Sequence, residues 1–89
     1  MKKNMKNLKE QRRKLMLEQV ISVLCEYTNA DPTSITESTN LTGDLALDSL
    51  QLINLAGALE DEFDIVVSDR DAMGIQTVGD VVRLIEERS

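Results

Sequence analysis

"DSLQLINLAGALEDEF", residues 48–63, is the stretch that decides the fold. Leu52, Ala56, Leu59 and Phe63 recur at steps of three and four, with Ile53 and Leu55 beside them. That period belongs to a helix with one apolar face, and the run is too long for a strand. Asp48 is a good N-cap, and Gln51 three residues on completes a capping box. The spacing predicts a helix over 49–62. Gly57 sits inside it, where glycine costs up to about 1 kcal/mol against alanine. The close approach of a neighbouring helix is the expected reason. One side chain stands apart from this pattern. Ser49 follows Asp48 in the first turn, where free backbone N–H groups and the positive end of the helix favour an anion. The residues alone leave three roles open for its hydroxyl: helix-start side chain, nucleophile, or point of attachment.

Outward from this helix the same reasoning divides the chain. Leu17, Val20, Ile21, Leu24 and Thr28 share one face and predict a helix over 15–28, with Cys25 beside them as a small buried hydrophobe. Residues 29–47 form a long connection rich in Thr, Ser, Asn and Asp, containing the chain's single proline, Pro32. A loop of that length needs pins in a compact domain, and Ile35, Leu41, Leu45 and Leu47 are the candidates. "FDIVV" (63–67) is too short to make a sheet. Ser68 and Asp71 form a second capping box before a short helical turn that Gly74 ends, and Thr77 with Asp80 repeats the pattern. Val78, Val81, Val82 and Ile85 then mark a last amphipathic helix. The expected fold is all-α: a small four-helix bundle of three main helices and one short helix, with a long first loop.

With 89 residues the chain makes one domain, and with only Tyr27 and Phe63 aromatic its core must be aliphatic. Charge divides it more sharply. Residues 1–14 hold seven basic side chains and one acidic, Glu10, for a charge of +6. Residues 15–89 hold three basic and fifteen acidic, for −12. The expected division is therefore a basic N-terminal extension (1–14), either helical as an extension of the first helix or frayed because its cations oppose the helix dipole, and a domain over 15–89. An acidic body repels nucleic acid and anionic membranes and attracts basic protein surfaces. No apolar run approaches the roughly 18–20 residues of a membrane span. The Lys-rich start lacks the cleavage site of a signal peptide. A single cysteine allows no internal disulfide and fits a reducing cytoplasm. The expected state is a cytoplasmic monomer.

The chemistry available is thin. There is no histidine, so a Ser-His-Asp triad is impossible, and one cysteine makes no zinc site. The glycines at 43, 57, 74 and 79 lack the spacing of a phosphate loop. An autonomous enzyme is not expected. Asp69, Asp71, Gly74 and Asp80 occupy positions 1, 3, 6 and 12 of a calcium helix–loop–helix, but Met73 brings no oxygen to position 5 and Asp80 is shorter than the usual glutamate. The two capping boxes account for these acids more simply, and no metal is expected.

"DLALDSLQLINLAGALEDEFDIVVSDRDAMGIQTVGDVVRLIEE" (44–87) resembles the acyl carrier proteins. The resemblance runs from about Leu41 to Glu87 and extends more weakly to the first helix. Asp48-Ser49-Leu50 alone is a weak motif; joined to "LEDEFD" at this distance, and to Thr77-Val78 opening a last helix, it is strong. It implies that Ser49 carries 4′-phosphopantetheine, transferred from coenzyme A by a phosphopantetheinyl transferase. The thiol of that arm would carry acyl groups as thioesters among acyl-transferring and ketoacyl synthase-type enzymes. It also implies docking of their basic patches on Asp48, Gln51, Asn54, Glu60, Asp61 and Asp69, with Leu50 and Val67 as apolar docking positions. Four features depart from the family pattern, the first being the basic N-terminal extension. Gln51 and Asn54 stand where fatty-acid carriers usually bring acids, Ala46 stands where Gly is common, and Leu47 before the aspartate resembles polyketide-type carriers. Fatty-acid or polyketide-type synthesis is the expected service. The rivals are a dedicated aminoacyl or peptidyl carrier and a small helical interaction module that is never modified.

Overall fold

The computed structural model describes residues 5–88. They form four α-helices: α1 (Met5–Leu24), α2 (Ser49–Phe63), α3 (Asp69–Gly74) and α4 (Val78–Arg88), with a 3₁₀ turn at Pro32–Ser34. α1 packs on α4 and α2, and α2 packs on α3. The core is aliphatic throughout. Val20, Leu24, Leu41, Leu55, Leu59 and Ile85 are fully buried, and no buried polar residue lies among the described residues. That is the expected small four-helix bundle.

Local chemistry explains the boundaries. At α2 the Asp48 carboxylate accepts from the Gln51 N–H (2.9 Å) and the Gln51 side chain accepts from the Asp48 N–H (3.0 Å). The helix ends at Asp64, which adopts a left-handed conformation (φ 55°) and donates its N–H to the Glu60 carbonyl. α3 starts with the Ser68–Asp71 capping box, both bonds at 3.0 Å. At α4 the Asp80 carboxylate accepts from the N–H groups of Gln76 and Thr77. These bonds satisfy helix-end donors that would otherwise be orphaned.

Three details differ from the sequence reading. α1 begins ten residues before Leu15, crosses the expected boundary at residue 14, and stops at Leu24, with Cys25–Tyr27 in turns and Thr28 outside the helix. The basic segment is therefore helical from Met5, whereas residues 1–4 lie outside the described residues. Nor is it wholly solvated. Arg13 donates to both carboxylate oxygens of Glu37 (3.2 and 2.7 Å) and to Glu86 (2.8 Å), which bridges α1 to the first loop and to α4. Cys25 is only half-buried, at the edge of the core.

Gly57 is the third correction. It is exposed, and a Cβ built on it would meet no atom within 4 Å. No helix approaches it, so the glycine only weakens α2. Gly57→Ala is expected to stabilise the fold by about 0.5–1 kcal/mol, read as a higher urea midpoint with an unchanged slope. Gly43, against the Asn40 side chain, and Gly79 do meet close neighbours, and at Gly79 the neighbour is backbone. A Cβ at Gly79 would lie 3.1 Å from the Glu37 carbonyl oxygen, which accepts the Gly79 N–H at 2.8 Å.

The long loop is fastened in two ways. Ile35, Leu41, Leu45 and Leu47 are all buried, as expected of pins. Its backbone also pairs with the α3–α4 connection: Leu41 donates to Gln76 (2.8 Å) and Val78 donates to Thr39 (3.0 Å). At the other end of α4, Arg88 grips Asp71 with two bonds (2.8 and 3.0 Å) and donates to the Val66 carbonyl (2.9 Å). Arg88, helped by the Ser68 N–H, holds the Asp71 carboxyl well below the usual carboxylate range. Arg13 lowers Glu37 in the same direction. A carboxyl depressed in the folded state adds stability above its unfolded pKa of about 3.9–4.3 and loses it as pH falls through the folded value. Stability should therefore fall as pH drops below about 4, and Asp71→Asn should flatten part of that fall in urea melts between pH 7 and 2.

Candidate functional site

The site is the start of α2. Leu47 and Leu52, both buried, pin the turn on either side of it. Asp48 and Gln51 cap the helix through each other. Ser49, the first residue of the helix, needs no part in that cap: it is exposed, and its hydroxyl has no hydrogen-bond partner among the described residues. Leu50 beside it is 67 % exposed. The result is a primary hydroxyl open to solvent, next to an exposed apolar side chain, at the positive end of a 15-residue helix.

The chain enters this helix through Ala46, whose φ of 58° is left-handed. Glycine adopts that conformation freely and alanine does not, so a physical reason stands behind the glycine common at this position in the family the sequence resembles. Ala46→Gly should relieve the strain, for a gain of about 0.5–1 kcal/mol after the entropy of glycine in the unfolded chain is set against it. A higher thermal midpoint would confirm this, and an unchanged one would mean the turn stores no strain.

The structure places the expected docking residues unequally. Asn54, Asp61 and Asp69 are exposed, and the Asn54 carbonyl accepts from the Tyr27 hydroxyl (3.4 Å). Asp48 and Gln51 are engaged with each other. Glu60 is half-buried because its carboxylate accepts from the Val67 N–H at 2.7 Å, closing the turn after α2. Val67 is the correction: it is a core residue, 6 % exposed, with no surface to offer a partner. The exposed side chain is its neighbour Val66, at 75 %. The extended backbone after α2 turns alternate side chains inward, so Ile65 and Val67 are buried and Val66 points out. Counting by two from Phe63 and Ile65 would have found it. Met73 on α3, 53 % exposed, was also missed.

The calcium pattern takes a different form in space. Asp71 is held by Arg88 and the Ser68 N–H, and Asp80 by the Gln76 and Thr77 N–H groups. No cluster of three acids, cysteines or histidines able to hold a metal occurs among the described residues. No described helix is long and apolar enough to cross a membrane.

Comparison with known proteins bears on the helical bundle with its open serine. The family model for the phosphopantetheine attachment site matches residues 18–85. The chain is 45 % identical to the acyl carrier protein of Phenylobacterium zucineum over 73 residues, covering 82 % of this chain and 92 % of that protein. It is 43 % identical to the acyl carrier protein of Caulobacter vibrioides over 74 residues, covering 83 % and 95 %. Among solved structures, the acyl carrier protein from Enterococcus faecalis superposes with a TM-score of 0.74 at 32 % identity, covering 86 % of this chain and 98 % of that one. The fold is thus that of a phosphopantetheine-dependent carrier domain. The chain belongs to the acyl carrier protein family, whose members bear 4′-phosphopantetheine covalently and hold acyl groups on it. The start of α2 fits such a group: it offers an accessible hydroxyl and, in the first helical turn, backbone donors suited to a phosphodiester. When bound, the arm supplies a thiol for thioester exchange.

Proposed function

We propose that Ser49 is the residue that bears the phosphopantetheine arm, and that this chain is a cytoplasmic, monomeric, non-catalytic shuttle for acyl chains in fatty-acid or polyketide-type synthesis. The observation that carries the reading is the unpartnered, exposed Ser49 hydroxyl at the first position of a well-capped helix. A modifying enzyme can reach it without unfolding anything, and the product phosphate meets the helix dipole.

The distribution of acids supports docking of basic partners, such as a phosphopantetheinyl transferase and ketoacyl synthase-type enzymes, towards the second half of α2. Between Asp48 and Glu60 the exposed positions are Ser49, Leu50, Asn54 and Gly57, none of them charged. Asp61, Glu62, Asp64 and Asp69 are exposed beyond them. A basic patch that touches this chain would therefore sit nearer the α2–α3 turn, with Leu50 and Val66 as apolar contacts. The test is intact mass after incubation with coenzyme A and a broad-specificity phosphopantetheinyl transferase. One phosphopantetheine adduct is expected, mapped by peptide analysis to Ser49. A folded chain that takes no adduct would favour the unmodified interaction module.

A further inference from the structure

Gly57 is a glycine that the fold does not use. Inside a helix glycine is less favourable than alanine. Two structural reasons commonly keep it there: a left-handed backbone, or the close approach of a neighbour. Neither applies. No glycine among the described residues has a positive φ, and a Cβ built at Gly57 would meet no atom within 4 Å. A local rule broken without structural return points to a functional position, and the neighbour that remains is one outside the chain.

Gly57 lies on the outward line of α2. Leu50, Asn54, Gly57 and Asp61 are all exposed and follow one another at steps of four, three and four, the spacing of one helix face. Leu52, Leu55, Ala56 and Leu59 take the opposite face into the core. α1 packs on α2 but leaves all four outward residues exposed. Side chains stand on the line at 50, 54 and 61. Between Asn54 and Asp61, about 10 Å apart along the axis, Gly57 leaves a gap in which the helix backbone itself is open to contact. At one end of the gap Asp61 has no ion-pair partner among the described residues, and Glu62 and Asp64 are exposed beyond it. Arg70 is exposed too, but on α3 beside Asp69, and it leaves the end of α2 acidic.

We infer that Gly57 is a close-approach point for partner enzymes: a Lys or Arg side chain of their basic patch lies in the gap, its apolar stem on the α2 backbone and its charge at Asp61. This rests on the docking reading above and gives a role to a residue that reading leaves without one. Asp61 is one turn beyond Gly57, about 6 Å along the axis, which suits the length of such a stem. Long basic side chains lay their stems on other surfaces while their charged heads reach outward. Any Cβ at position 57 stands where the stem would lie. Gly57 therefore selects partners by shape as well as by charge, admitting those that set a basic side chain flat against the helix. Stability and docking should then separate on substitution, because the change that helps the helix fills the gap.

Steady-state transfer from the full chain to a ketoacyl synthase-type enzyme that turns over the wild type tests this. Each variant is first loaded to completion with phosphopantetheine and the same acyl group, so that only the encounter with the acceptor enzyme is compared. Gly57→Ala should be more stable in urea yet raise the KM for the carrier about threefold. Gly57→Leu, whose leucine is also a good helix former, should raise it at least about tenfold. The kcat should stay within about twofold, because the contact serves docking and not the reacting thioester. The cause is steric, so the ratio to wild type should persist at about 1 M salt, where the effect of Asp61→Lys is screened. The same bulk added at the exposed Gln19 of α1, as Gln19→Leu, should leave KM unchanged. A KM that does not rise with the size of the side chain at position 57 would overturn the inference. So would a loss confined to kcat, a rise that disappears at high salt, or an equal rise in Gln19→Leu. A wild type that accepts no prosthetic group would remove the carrier reading and this inference together, whereas loaded variants with unchanged KM would remove this inference alone.

Discussion

Ser49→Ala is expected to abolish phosphopantetheine loading completely and to leave the fold intact. Both halves follow from the geometry at the start of α2. The cap is made by Asp48 and Gln51, with bonds of 2.9 and 3.0 Å, and Ser49 contributes no side-chain bond to it. Alanine is at least as good a helix former, so stability should stay within about 0.5 kcal/mol of the wild type. Asp48→Ala is the control with the opposite profile. It should cost about 1 kcal/mol, because it removes the acceptor for the Gln51 N–H. Intact mass after transferase treatment, set beside urea melts of the same preparations, separates the two effects. A loaded Ser49→Ala chain would move the attachment point to another hydroxyl. A Ser49→Ala chain that unfolds would mean that the serine is structural after all.

The second large effect distinguishes two neighbouring acids that look equivalent in the sequence. Glu60→Lys should destabilise the fold by about 1–3 kcal/mol, because it leaves the Val67 N–H, on a core residue, without its acceptor. Asp61→Lys removes a charge that is exposed and forms no ion pair among the described residues, so stability should change by no more than about 0.5 kcal/mol. Its effect should fall on docking. Transfer to a ketoacyl synthase-type enzyme should slow several-fold at low salt, and the difference should vanish near about 1 M, where the screening length is about 3 Å. Equal stability of the two variants would refute the capping role of Glu60. Unchanged transfer kinetics in Asp61→Lys would remove that residue from the docking surface.

These two acids also show where sequence reading stops. Glu60 and Asp61 both sit in "LEDEFD" and both were expected at the docking face, yet one is turned back to close the loop after α2. Whether a carboxylate meets solvent or a backbone N–H depends on the path of residues 64–67, which leaves the helix through a left-handed Asp64. Val67 was misplaced for the same reason. The resemblance alone placed it among the docking positions, whereas the extended backbone after α2 turns Val67 inward and Val66 outward.

What the sequence by itself determined was local or periodic: the faces of α2 and α4, the caps and the loop pins. The apolar spacing marked α2 and α4, the Ser/Thr/Asp-x-x-acid and Asp-x-x-Gln patterns marked their caps, and the isolated leucines of the first loop marked its pins. These depend on neighbours within one or two helical turns. The absence of histidine and of a phosphate loop was equally plain, and Asp48-Ser49-Leu50 drew attention to the serine. Tertiary structure decided what depends on which elements meet. It brought Glu37 and Glu86 to Arg13, and so carried a basic segment into the body as helix. It put the Glu37 carbonyl 3.1 Å from a Cβ at Gly79 and nothing within 4 Å of one at Gly57. It exposed Val66 and hid Val67. Each of these turns on distances between residues far apart in the chain, and those distances exist only once the core of Val20, Leu41, Leu59 and Ile85 has closed around the loop.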